Sequence, residues 1–126
     1  MNNSPVSMLL VDSHRDTLSM LRILFSQYRT TSVTSASEAV SEARSHHFDL
    51  YLVENRLPDE SGVDLCSSLR LVDPDGKVVF FTSDDSQIDI LRAFEAGAVE
   101  YVTKPNVDEL IEAVHTALAD VNDLTH

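Results

Sequence analysis

Apolar runs that end abruptly in polar or charged side chains recur along this chain, and they limit its fold more than any other feature. The strongest lies in Phe48 to Gly62, FDLYLVENRLPDESG, where Leu50, Leu52 and Val53 lead without a turn residue into Glu54 and a loop holding Pro and Gly. A strand that is apolar on both faces belongs in a parallel sheet covered by helices on either side. Met8 to Val11 runs the same way into Asp12 and Ser13, Val78 to Phe81 into Thr82 and Ser83, and Val99 to Val102 into Thr103, Lys104 and Pro105. Ligands of open α/β sheets collect beyond the carboxyl ends of the strands, so these four ends define one candidate pocket.

Helical patterns fill the intervals. Leu18, Leu21, Leu24, Phe25 and Tyr28 predict a first helix over 15–28 with Asp16, Ser19 and Arg22 on its wet face. The polar segment Thr31 to Thr34 suits an edge strand. Ser35 and Glu38 have the spacing of a capping box for a second helix, which packs through Ala39, Val40 and Ala43. A third helix is expected over 62–71, stopped by the turn Asp73-Pro74-Asp75-Gly76. A fourth, over 86–96, is expected to bury Ile88 and Leu91 and to end at a left-handed Gly97. Asn106 suits the cap of a fifth, with Asp108 and Glu109 near its positive end and Val107, Leu110, Val114, Ala117 and Val121 as its apolar stripe. Five strands alternating with five helices predict one doubly wound α/β domain over residues 1–126, with right-handed crossovers and no repeat, linker or second domain.

Composition narrows the function. Nine basic against 21 acidic residues give a formal charge of −12, and the lysines are Lys77 and Lys104 alone. Nucleic-acid affinity rests on neutralising phosphates, so this chain by itself is a poor DNA or RNA binder. A basic protein surface complements it, unless the surplus acid serves solubility only. No apolar run approaches the ~20 residues of a membrane span, and the first seven residues lack the pattern of a secretory signal, so a cytoplasmic protein is expected. Cys66, the single cysteine, precludes an internal disulfide and reads as a reduced, packed thiol. No hydrolase motif or Gly-rich phosphate loop occurs, which argues against an enzyme. His14 with Asp12 and Glu54 offers an imidazole and two carboxylates to a transition metal, against the plainer reading of a loop histidine. His46 and His47 suit a helix end, where an imidazolium complements the dipole.

With acids after the first and third strands, a hydroxyl after the fourth and Lys-Pro after the fifth, the chain resembles the receiver domain of two-component response regulators over nearly all its length. Glu54, Leu57, Pro58 and Gly62 keep the spacing of that family's acidic loop, and Thr82, Tyr101 and Lys104 fall at its other signal-reading positions. The resemblance implies a five-stranded parallel sheet of order 2-1-3-4-5. It also implies that Lys104 pairs with the pocket acids and that the Thr82 hydroxyl contacts a phosphoryl group. Ser83 would keep the pocket accessible, and Tyr101 would carry the state to a partner face that includes Ile90 and Phe94. Magnesium would be held by the second acid of the first strand, the acceptor carboxylate and the backbone carbonyl of Arg56.

Two positions depart from that pattern. The acceptor, an aspartate in the family, is Glu54, and the two adjacent acids of the first strand are Asp12 and Ser13. The family often has an aromatic after Lys-Pro, whereas Pro105 leads directly into Asn106. Magnesium demands near-octahedral oxygen ligands at ~2.0–2.1 Å, so Asp12 and Glu54 would hold it weakly, and no other cofactor is expected. The extra methylene of Glu54 advances its carboxylate by about 1 Å, a misplacement that costs roughly 100-fold in rate. The same reach lets it contact Lys104 and Thr82 and imitate part of an acyl phosphate, with one charge against roughly −1.5 to −2 for a phosphoryl group. Three readings follow. The domain signals without phosphate through a protein partner, an output domain or a homodimer; it accepts a phosphoryl group from a histidine kinase; or Glu54 merely pairs with Lys104 as a structural relic. In each, the chain could be one part of a longer DNA-binding or enzymatic protein.

Overall fold

The computed structural model describes residues 5–123, with side chains described to residue 119. Strands and helices alternate throughout: β1 (Ser7–Val11), α1 (Arg15–Leu24), β2 (Arg29–Val33), α2 (Ala36–Ser45), β3 (Leu50–Val53), α3 (Gly62–Val72), β4 (Lys77–Thr82), α4 (Gln87–Glu95), β5 (Glu100–Thr103) and α5 (Val107–Asp123). The strands form one parallel sheet in the order β2-β1-β3-β4-β5, as the resemblance implied. The edge strands β2 and β5 are the ones whose residues are mostly half-buried, in keeping with the polar sequence of β2.

The period-two geometry of a strand sends successive side chains to opposite faces. Leu9, Val11, Tyr51, Val53, Val78 and Phe80 therefore pack beneath α2, α3 and α4, against Ala36, Ala39, Leu65, Cys66 and Leu69. Met8, Leu10, Leu50, Leu52, Val79, Phe81 and Val102 pack beneath α1 and α5, against Leu18, Leu21, Phe25, Leu110, Val114 and Leu118. Each such side chain contributes about 1.5–3 kcal/mol by burial, which is why the central strands are apolar at every position. The ladder extends one residue past the ends of β3 and β5: Glu54 N donates to Val11 O at 2.9 Å and Lys104 N to Thr82 O at 2.8 Å. That register delivers the polar ends to one side of the sheet.

Helix ends follow the sequence signals. Ser35 Oγ accepts from Glu38 N at 3.2 Å, and the Glu38 carboxylate reaches back to Thr34 N at 3.0 Å. Gly97 takes φ +114°, with Ala98 N donating to Ala93 O and Gly97 N to Phe94 O at 3.0 Å each, the paired bonds of a Schellman end to α4.

Three expectations need correction. α1 stops at Leu24; Phe25 is its buried cap, and Tyr28 follows beyond the helix, its ring 6.4 Å from that of Phe25. α4 packs Ala93 into the core beneath it, with Ile90 half-buried, and leaves Ile88 53% and Leu91 57% exposed. The helix carries more apolar residues than one face can hold, so periodicity offered two stripes, and the small Ala93 gives the closer approach. Asn106 precedes α5 as expected, its carbonyl accepting from Leu110 N at 3.1 Å, but its carboxamide nitrogen donates backwards to Thr103 Oγ1. In the α5 stripe, Leu110, Val114 and Ala117 are buried and Val107 is half-buried; Val121 lies outside the described side chains. Among the described residues no helix is long and apolar enough to cross a membrane.

Candidate functional site

The ends of β1, β3, β4 and β5 bring Asp12, Glu54, Thr82 and Lys104 together. Asp12 is 2% and Glu54 5% exposed, so two carboxylates are buried around one ammonium. Lys104 Nζ lies 2.9 Å from Asp12 Oδ2 and 2.7 Å from Glu54 Oε2. Burial pulls the lysine pKa down, but hydrogen bonds and charge from Glu54 and Asp12 outweigh it and hold the pKa above its ordinary value. Glu54 Oε1 accepts from the Thr82 hydroxyl and, at 3.2 Å, from Arg56 N. Asp12 Oδ1 accepts from His14 N at 2.8 Å, which turns the chain into α1, and lies 3.2 Å from the exposed His14 ring.

A path of hydrogen bonds leads outward from this centre. Asp84 N donates to Thr82 Oγ1 at 3.3 Å, and the Tyr101 hydroxyl donates to the Asp84 carbonyl. The Tyr101 ring stacks on Phe80 with centroids 5.5 Å apart and planes 14° apart. Burial, then the charge of Asp84, pushes the Tyr101 hydroxyl pKa up to about 12, so it remains a donor. The Asp84 carboxylate accepts from Asn55 Nδ2 at 2.9 Å and Arg56 Nε at 2.7 Å. The loop that carries these donors is also fixed at its far side, where Asp59 accepts from Ala36 N and Ser37 N at 2.9 Å each and caps α2 from across the chain.

Of the expected site residues, Arg56 points its side chain at Asp84, Ser83 is exposed, and Ser13 is half-buried beside Asp12. On the outer face Phe94 is exposed, while Ile90 and Tyr101 are half-buried. Asp12, His14 and Glu54 do not make the transition-metal set: among the described residues no three acids, histidines or cysteines are placed to hold an ion. Asp84 and Asn55 went unread in the sequence. Their signal was position, since Asp84 lies two residues beyond Thr82 and Asn55 directly follows Glu54.

A third buried acid lies at the opposite end of the sheet. Asp73, read from sequence as a turn residue, accepts through Oδ2 from the Tyr51 hydroxyl at 2.7 Å and Phe48 N at 3.1 Å. Its Oδ1 is 2.8 Å from His47 Nδ1, whose Nε2 is 3.3 Å from Asp49 Oδ1. Burial alone would raise the Asp73 pKa, but the Tyr51 and His47 bonds outweigh it and hold it below the usual range. Burial alone would lower the His47 pKa, and Asp73 with Asp49 raise it instead. His46 caps α2 as expected, whereas His47 belongs to this network.

A five-stranded parallel sheet with two acids, a hydroxyl and a lysine converging past its strand ends defines the doubly wound α/β domains that carry an acid–lysine pocket. This chain belongs, within that class, to the response regulator receiver domain family, whose model matches residues 8–115. Response regulator protein PilR of Pseudomonas aeruginosa is 34% identical over 113 residues, 87% of this chain and 25% of that protein. Sensory transduction protein RegX3 of Mycobacterium tuberculosis is 33% identical over 115 residues, 89% of this chain and 50% of that protein. The chain thus spans half or less of the length of these relatives. A CheY-like response regulator receiver domain protein from Methanospirillum hungatei superimposes with a TM-score of 0.88 at 25% identity, covering 95% of this chain and 98% of the other.

Proposed function

We propose that this receiver domain holds a single signalling state without phosphorylation and acts by binding protein. One observation carries the reading: the Glu54 carboxylate, while paired with the Lys104 ammonium, already engages the Thr82 hydroxyl that the family resemblance assigns to a phosphoryl group. Through Thr82 and Asp84 that engagement reaches Tyr101, on the face where Phe94, Ile88 and Leu91 are exposed. A carboxylate built into the chain supplies permanently part of what a labile acyl phosphate supplies transiently.

The residues of the pocket do not suit magnesium. The Lys104 ammonium bridges Asp12 and Glu54, Asp12 Oδ1 is taken by His14 N, and Ser13 adds no charge. The proposed function therefore has no step through a metal. A partner carrying apolar residues within a basic surround complements the exposed face and the −12 charge of the chain. A histidine kinase, an output domain and a second copy of the chain are the partner classes to compare.

Intact mass after incubation with acetyl phosphate and excess magnesium tests the reading, alongside a Glu54→Asp, Ser13→Asp double variant. The native chain is expected to remain unmodified and the variant to gain a phosphoryl adduct. An adduct on the native chain would overturn the proposal and make the domain a phosphorylatable receiver.

A further inference from the structure

We propose that Asp84 is a positioning residue for Tyr101: its carboxylate, clamped by Asn55 and Arg56, fixes the loop between β4 and α4 so that the aromatic is held by a second lock besides Glu54. The inference rests on the proposed reading of Tyr101 as the reporter of state, and it adds the regulation of that residue.

The bonds around Asp84 close a ring. Arg56 N donates to Glu54 Oε1, Thr82 Oγ1 donates to the same oxygen, Asp84 N donates to Thr82 Oγ1, and Arg56 Nε donates to Asp84 Oδ1. Two neighbouring strand ends are thus joined at residues i and i+2 on each side. Only the first three bonds depend on the pocket acid or hydroxyl. The fourth, with the Asn55 bond to Asp84 Oδ2, joins loop to loop and would survive any change at Glu54.

The anchor for this clamp is rigid. Asn55 Oδ1 accepts from Val63 N at 3.3 Å and Asn55 O from Gly62 N at 2.7 Å, so the residue that grips Asp84 is itself tied to the first turn of α3. A Cβ at Gly62 would meet Glu54 O at 2.5 Å and Asn55 Cα at 2.8 Å, an approach that only glycine permits. Asp59 pins the same loop to α2. The Asp84 side chain is 9% exposed while that of Arg56 is 83% exposed, so the pair is a rim contact that adds little stability. Its consequence is positional: the Asp84 carbonyl is the acceptor of the Tyr101 hydroxyl, and wherever Asp84 is held the tyrosine follows.

Fluorine NMR of the full chain labelled with 3-fluorotyrosine reads this directly. The chain has three tyrosines, Tyr28, Tyr51 and Tyr101, and each line is assigned from its Tyr→Phe variant. Asp84→Ala is expected to shift or broaden the Tyr101 line while those of Tyr28 and Tyr51 stay in place. Arg56→Ala should move it a shorter way in the same direction, and Arg56→Lys should bring it back towards native. An unmoved Tyr101 line in both alanine variants would overturn the inference. Should Asp84→Ala fail to fold, Arg56→Ala decides, because its side chain lies mostly in solvent. Glu54→Gln separates the two ideas. If it moves the Tyr101 line and the alanine variants do not, the second lock is wrong and the proposed function stands; the reverse pattern preserves the lock and removes the role of Glu54.

Discussion

Both ends of the sheet bury acids, but they satisfy them in different ways. At the amino end Asp73 is met by a phenol hydroxyl, a backbone N–H and an imidazole, so one carboxylate has three donors from a short stretch of chain. At the carboxyl end Asp12 and Glu54 share a single ammonium drawn from the far edge of the sheet. The first arrangement is complete without anything further. The second carries more buried negative charge than its cation offsets, and it is bonded onward through Thr82 and Asp84 to a half-buried aromatic on the outer face. A buried acid fully met by local donors holds a turn; buried acids that outnumber their cation and connect to a mobile type of side chain make a site.

Removing the cation should break this comparison most severely. Lys104→Met leaves Asp12 and Glu54 buried together, and loss of one partner from a buried ion pair costs about 3–5 kcal/mol. Because Lys104 keeps 17% of its side-chain exposure, the lower figure of about 3 kcal/mol is expected in urea unfolding at pH 7. No measurable deficit would show that the buried acids do not depend on Lys104 for their pairing. Asp73→Ala comes next, at about 2 kcal/mol, since it strands the buried Tyr51 hydroxyl and Phe48 N–H. The Tyr101 fluorine line should stay in place in that variant; a moved line would mean that the two ends communicate.

The fold was readable because burial on both faces forces apolar residues at every strand position, and the four apolar runs match β1, β3, β4 and most of β5. The pocket was readable for the same reason, since a polar residue ending such a run has nowhere else to point. Legibility failed where several solutions satisfy one pattern. Ile88, Ile90, Leu91 and Phe94 allow two faces for α4, and only the packing of Ala93 decides between them. It failed again where side chains meet across long sequence separation. Asp84 reaches Arg56 and Asn55 over nearly 30 residues, and Asp73 reaches His47 over 26, with no local pattern to announce either.

Histidine 47 gives the smallest expected effect and the cleanest separation of the two ends. Both ring nitrogens face carboxylates, so both must donate, and only the imidazolium does that. Its folded pKa is raised above the ordinary 6.5, so its contribution is complete below that value and is lost as pH rises through the folded one. The Asp73 pKa is shifted down from 3.8 and the Lys104 pKa up from 10.5, so neither changes charge between pH 6 and pH 9. With 51% of its side chain exposed, His47 is screened by solvent, and His47→Gln should cost only about 0.5 kcal/mol at pH 6. That difference from the native chain should vanish by pH 9 in denaturant titrations. A gap that persists unchanged at pH 9 would assign His47 a packing role and leave the amino end without a charge of its own to titrate. A gap that closes would show that His47 acts through its charge, held by Asp73 and Asp49.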